Sequence, residues 1–421
     1  MILTNEKDTG MVGEKIFSCQ TGMAELVNIF QPKVEDTPVW KGTHTGLQPI
    51  IKWAGGKEKE LNHILPNIPS FNRYFEPFVG GGSVFAAIHA KEYFINDLSS
   101  ELISLYQNIS LRNPLFFTYV KGIDKAWIKA KSFFENNQIL VKYYIEYRRG
   151  KIDSEHLKAR ITTFCKVKKQ DILAIIDDDF AQFPCILVKE IGKNLFRKMS
   201  RMKKIEQGKG ILPNKDLQAN IETAIKSAVY MNFRSMYNDK ELVRNNDEMR
   251  CALFLFIRNY AYSGMFRYND KGNFNVPYGG IAYNGKTMQK KLNYYQSSEL
   301  LDHFGHTKIF NMDFEQFLRE TNPEENDFIF LDPPYDTEFN TYAQNKFTRA
   351  DQERLADYML NICEAKWMMI VKNTDFIYHL YNHEGVYIRS FNKEYLVSFM
   401  NRNNKKVTHL LITNYEQPTN I

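Results

Sequence analysis

From Ile50 the chain alternates short apolar runs with polar stretches of helical spacing, loses that alternation near Leu111, and regains it near Thr307. Such alternation specifies β-α units around a mostly parallel sheet. Its interruption inserts a second body of chain between two parts of one sheet. The spacing predicts a strand over 74–79, a turn at Gly80-Gly81-Gly82, a helix over 83–88, a short strand over 93–96 ending at Asp97, and a helix over 100–109. After the break come a strand over 308–310, then Asp313-Phe314, then the run Phe328-Ile329-Phe330-Leu331 leading into Asp332-Pro333-Pro334-Tyr335. Thr348 to Asp351 reads as a helix-start box, 367–371 as a buried strand, and 395–400 with 407–412 as a hairpin with a basic tip. The expected domains are an extension over 1–47, an α/β domain from 48–110 and 300–421, and a mainly helical domain over 111–299.

Charge singles out part of the helical region. The 421 residues carry a net charge of +6, yet residues 142–209 hold 17 Lys/Arg against 9 Asp/Glu, which leaves the rest of the chain slightly negative. A duplex presents one negative charge per roughly 1.7 Å of axis. The insert therefore reads as a nucleic-acid surface or as a solvated helical face; Tyr143, Tyr144 and Tyr147 before Arg148 and Arg149 tilt it toward nucleic acid. No apolar window approaches a membrane span and the N-terminus lacks a signal pattern. The five cysteines are at least 20 positions apart, so neither a metal knuckle nor a dense disulfide framework can be written. A cytoplasmic protein without membrane or metal is expected.

Two constellations carry chemistry. Glycines after a strand let a ligand approach the backbone, and an acid some 20 residues on can hold a ribose hydroxyl, a spacing that Gly80 and Asp97 satisfy. Asp332-Pro333-Pro334-Tyr335 presents a carboxylate, a carbonyl and an aromatic ring on a stiffened chain, which suits a planar amine held for attack. Gly280 to Thr287 also fits a phosphate-loop pattern, which would make the chain a nucleoside triphosphatase, but a polar, turn-forming stretch precedes it where a buried strand is required. His303 and His306 read as surface or structural residues in a loop beside a strand, not as metal ligands.

With these two constellations joined, the chain resembles the Dam-type S-adenosylmethionine-dependent DNA adenine methyltransferases. Lys52 to Lys57 is similar to that family's N-terminal cofactor motif, Phe78 to Phe85 to its Gly-rich loop, Arg267 to Gly279 to its DNA-contacting segment, and Asn401 to Tyr415 to its terminal hairpin. The resemblance covers about 50 to 110 and 250 to 415, and departs from compact members at 1–47 and over 111–225. It implies a Rossmann-like sheet with helices on both faces, interrupted by a helical DNA-recognition domain. S-adenosylmethionine is the implied cofactor, held by Trp53, Lys57, Phe78, Gly80, Gly82, Asp97, Asp313, Phe314 and Asp332. Asp332, Pro333 and Tyr335 would act on the amine of an adenine rotated out of double-stranded DNA, with Arg267, Asn269, Asn275, Lys405 and Lys406 on the DNA. A restriction-modification setting with a cognate endonuclease as partner, or an orphan methylase, a monomer or weak dimer, and a bacterial or phage cytoplasm near the nucleoid complete the expectation. The alternatives are a methyltransferase for cytosine N4, RNA or protein glutamine, and a silent DNA-binding regulator.

Overall fold

Strands β1 (Arg73–Glu76), β2 (Glu92–Asn96), β3 (Thr307–Phe310), β4 (Phe328–Leu331), β5 (Lys366–Lys372), β6 (Tyr387–Glu394) and β7 (Lys406–Thr413) form one sheet in the computed structural model. Their order is β3-β2-β1-β4-β5-β7-β6. The structure describes residues 45–180, 185–244, 246–334, 347–394 and 406–417, without the side chains of 178, 243, 392–394, 406 and 407. The first five strands are parallel, with Phe75 opposite both Phe94 and Ile329, whereas β7 runs antiparallel to β5 and β6.

Alternation along each strand explains how both faces are buried. Tyr74, Phe328, Phe330, Met368 and Ile370 enter one apolar cluster, and Phe75, Ile329, Leu331, Trp367 and Met369 enter the other. Helices Ser83–Ala87, Ser100–Ser110 and Ser298–Gly305 pack on the first face, and Phe314–Thr321, Arg349–Asn361 and Asp375–Tyr381 on the second. Thr348 closes a capping box with Asp351, as the sequence implied.

The interruption is helical. Helices Pro114–Glu135, Ile139–Arg148, Ser154–Val167, Leu187–Lys209, Asn214–Asn238 and Asp247–Tyr260 share the first face's apolar cluster, so the sheet and the inserted helices have a continuous core. The first of them starts where Asn113 Oδ1 accepts from the Leu115 and Phe116 N–H groups and Pro114 occupies the first turn.

Three sequence expectations shift. Thr45, placed in the extension, already donates its N–H to the Ala87 carbonyl at 3.0 Å, so the packed region begins before residue 48. The first arm of the terminal hairpin is β6, and Lys406 opens β7; the expected arm over 395–400 and Lys405 lie outside the described residues. His303 belongs to the helix Ser298–Gly305 and is buried, because its ring fits between Phe85 and Tyr93. It is structural but not at the surface.

Candidate active site

The sheet reverses its order between β1 and β4: the chain goes from β1 to β2 on one side, and β4 lies on the other. A crevice opens at the carboxyl ends of two such strands. The loop after β1 carries Gly80 and Gly82 at φ of +50° and +75°, a region that L side chains rarely occupy. Asp97, beyond β2, fixes this loop: its Oδ2 accepts from the Gly80 N–H at 3.0 Å and its Oδ1 from the Ser99 N–H at 2.8 Å. Burial pushes the Asp97 carboxyl up to about 6, against the pull of those two N–H groups. Asn96 ties three strand ends together, donating to the Pro77 and Met312 carbonyls at 3.0 Å each and accepting from the Met312 N–H. The Tyr106 hydroxyl donates to the Gly80 carbonyl at 3.0 Å.

The loop after β4 brings Asp332 to the same crevice. Trp53, Lys57, Glu76, Gly80, Val84 and Asp332 line one small cavity. Lys57 is almost fully buried; its Nζ donates to the Gly55 carbonyl at 2.9 Å and ion-pairs with Asp332 Oδ1. Glu76, the last residue of β1, is buried beside them and accepts from the Tyr74 hydroxyl at 2.7 Å. Burial raises its carboxyl well above the ordinary range, and the nearby Asp332 charge raises it further. Pro333 is buried, and Gln352 Nε2 donates to the Pro334 carbonyl at 3.1 Å, which steadies the turn. Tyr335 lies outside the described residues.

Aromatic rings close the other end. Phe78 meets Phe314 at 5.5 Å and Phe347, edge-on, at 5.6 Å between centroids. Asp313 caps the helix that begins at Phe314 and makes a two-point contact with Arg354 at 2.9 and 3.1 Å. Against the burial that would raise it, Arg354 and the cap hold its carboxyl below the ordinary value. Trp53 packs over Gly80, where an added Cβ would stand 3.0 Å from the indole Cδ1. Trp53 also faces Phe254 and Phe266 of the inserted region at 6.3 and 6.0 Å.

Among the expected DNA-facing residues, Arg267 is exposed and its Nε donates to Asn275 Oδ1 at 2.9 Å, so these two act as a pair. Asn269 Oδ1 accepts from the Lys271 and Asn273 N–H groups at 3.1 and 3.0 Å, which makes it the cap of the turn between them. The phosphate-loop match has no phosphate cradle. Residues 281–283 form a single 3-10 turn with no strand before it, and Asn284 is tied to Tyr278, Thr223 and the Ala219 carbonyl.

Glu76 and Arg258 were not singled out from sequence. Glu76 had a signal, an acid directly after Tyr74 and Phe75 at the end of a strand. Arg258, directly after the apolar run from Leu253 to Ile257, is buried, stacks on Trp53 at 4.7 Å and on Phe266 at 4.5 Å, and donates to the Lys52 carbonyl at 2.8 Å. Burial lowers its guanidinium to about 10. It joins the Lys52–Trp53 segment to Phe266 in the inserted region.

A mostly parallel sheet with a glycine loop, a buried acid tied to that loop and a carboxylate-Pro-Pro turn at one switch point is the arrangement of α/β enzymes that take a nucleoside cofactor. A family model for the D12 class of N6 adenine-specific DNA methyltransferases matches residues 53–207 and 164–395, and the chain belongs to that family. Methyltransferases of this family use S-adenosylmethionine. The chain is 33% identical over 377 residues to the type II methyltransferase M.CviBI of Paramecium bursaria Chlorella virus NC1A, covering 88% of this chain and 100% of that one. It is 22% identical over 375 residues to the type II methyltransferase M1.LlaDCHI of Lactococcus lactis subsp. cremoris, with 88% and 96% covered. With the DNA adenine methylase of Escherichia coli K12 it shares 23% identity over 334 residues, 77% and 80% of the two chains.

Proposed function

We propose that this chain transfers the methyl group of S-adenosylmethionine to N6 of an adenine rotated out of double-stranded DNA, within a restriction-modification setting. The observation that carries the reading is the meeting of Asp332 with Lys57 and the glycine loop at one switch point. The donor set fits the cofactor in order. Phe78 and Phe314 offer an aromatic slot, Asp313 borders it, Asp97 is a carboxylate for hydroxyls, and the buried Lys57 ammonium is a counter-charge for a carboxylate. Gly80 and Gly82 give the loop its left-handed turns, and Trp53 closes over it.

The sulfonium supplies an electrophilic methyl group, so this chain's task is alignment. Asp332 accepts a hydrogen bond from the amine and, with the Pro333 carbonyl as second acceptor, aims the nitrogen lone pair; Tyr335 stacks on the extruded base. Residues 48–110 and 300–421 act as the catalytic domain and 111–299 as the recognition domain. Within the latter, Arg267 and Asn275 read base edges as a pair, and Asn269 holds their turn. Lys405 and Lys406 meet phosphate. The enzyme acts as a monomer or weak dimer beside a cognate endonuclease, in a cytoplasm and near the nucleoid.

Transfer of labelled methyl from S-adenosylmethionine to unmethylated DNA tests this. Label is expected in adenine at one short motif, absent in Asp332→Ala while that variant still binds DNA. Turnover retained by the variant, or label on another acceptor, sinks the assignment.

A further inference from the structure

The helices Ser154–Val167 and Leu187–Lys209 enclose an open groove of about 880 Å³ in the basic insert. Its floor is apolar. Ile161 and Cys165 are buried, Val188 and Phe196 half-buried, and at Gly192 the helices come so close that an added Cβ would lie 3.6 Å from Cys165 Sγ. Its rim has one sign of charge. Lys189, Lys193, Arg197, Arg201 and Lys204 form an exposed stripe at spacings of three and four along one helix, with Lys158 and Lys166 opposite. Among the described residues, no Asp or Glu lines the groove. Among the described residues, the side chains of this stripe with a charged or polar partner are Lys193, 3.2 Å from Glu190, and Arg197, 2.7 Å from Asn194 Oδ1. Burial lowers the adjacent Lys198, and Arg201 and Arg197 lower it further.

We propose that this groove receives an acidic amphipathic helix of a partner protein, with apolar side chains on the floor and carboxylates against the cationic rim. Charge complementarity requires an acidic occupant, and the floor requires one with an apolar face. Duplex DNA has no such face. A single strand gains its affinity by stacking on successive aromatic rings, and Phe196 is the one aromatic residue among the described residues that line this groove. A membrane cannot reach a recessed floor. An extended peptide would lay unpaired N–H and C=O groups on apolar side chains, whereas a helix satisfies its own. The stripe from Lys189 to Lys204 is about 22 Å long at 1.5 Å per residue, room for about four turns.

The probe is a fluorescein-labelled 16-residue peptide with Leu at i, i+3/i+4 and i+7 positions and Glu elsewhere, titrated against the full chain by anisotropy. A scrambled peptide and a dT16 oligonucleotide serve as comparisons. One variant reverses three rim charges, Lys193→Glu with Arg197→Glu and Arg201→Glu; a second, Gly192→Leu, fills the floor and favours the helix. Circular dichroism confirms that both fold. The expected result is peptide binding that weakens with salt, falls at least tenfold in each variant and at least tenfold on scrambling. Equal binding of the scrambled peptide, binding unchanged in both variants, or tighter capture of dT16 would overturn the proposal.

Discussion

Gly81→Ala tests the architecture of the cofactor crevice, because space alone forbids the added methyl. Gly81 does not need a positive φ, unlike its neighbours. A Cβ there would stand 2.4 Å from the Ile51 carbonyl oxygen and 3.1 Å from Trp53 Cβ. Real Cβ contacts are essentially never under 3.0 Å, so the Ile51 carbonyl must retreat by about 0.6 Å. That retreat strains the hydrogen bond from the Ile50 N–H to the Gly81 carbonyl, 3.0 Å long, and carries Trp53 and Lys57 with it. Overpacking costs roughly 1–3 kcal/mol and the hydrogen bond about 1, so the variant should lose about 2–4 kcal/mol of stability. Its affinity for S-adenosylmethionine should fall at least tenfold, since both residues expected over the cofactor move. Urea denaturation and calorimetric titration measure the two effects. Gly285→Ala, with nothing within 4 Å of its Cβ, is the control and should stay within about 0.5 kcal/mol of wild type. An unchanged midpoint and affinity in Gly81→Ala would refute the claim that this strap is wedged against the loop.

Other perturbations address separate parts of the site. His303 is buried with its Nε2 3.0 Å from the Phe85 carbonyl, and burial lowers its ring to about 4, below the unfolded value near 6.5. The unfolded chain therefore takes up a proton first, and the stability present above pH 6.5 should decline by about 3 kcal/mol as pH falls toward 4; His303→Leu should remove that slope from denaturation curves measured across the window. Asp97→Ala removes the acceptor of two loop N–H groups, and loss of charge-assisted hydrogen bonds worth roughly 1.5–3 kcal/mol each should weaken cofactor binding about a hundredfold. Wild-type binding should itself weaken as pH drops through about 6, where Asp97 gains a proton; a flat profile from pH 5 to 8 counts against its role. Arg267→Ala should cost roughly 1–3 kcal/mol in kcat/KM and relax specificity at one base pair, with cofactor affinity unchanged, as read from kinetics on duplexes varied one position at a time.

Local rules decide which parts of this molecule can be read from its sequence. The run from Phe328 to Leu331 is apolar at every position because a central parallel strand is covered on both faces, and the turn at Asp332 follows because Pro333 and Pro334 cannot extend the ladder. The glycine loop and the Thr348 box depend on neighbours in sequence, so they were equally visible. Strand β6 was not, since an edge strand with polar residues such as Arg389 and Ser390 has no clean alternation, and this moved the hairpin's first arm. The site itself divides in the same way. Asp97 and Asp332 follow strands and could be named, whereas the partners that fix them come from far along the chain, Lys57 for Asp332 at a separation of 275 residues and Arg258 for the Trp53 segment at 206. Glu76 and Arg258 break apolar patterns, and each is buried against the other half of the site. A charged residue retained inside an apolar run is costly unless paired. Arg258 marks where the segment beside the glycine loop meets the inserted helices, and coupling between Trp53 and Phe266 should run through its stack on both rings.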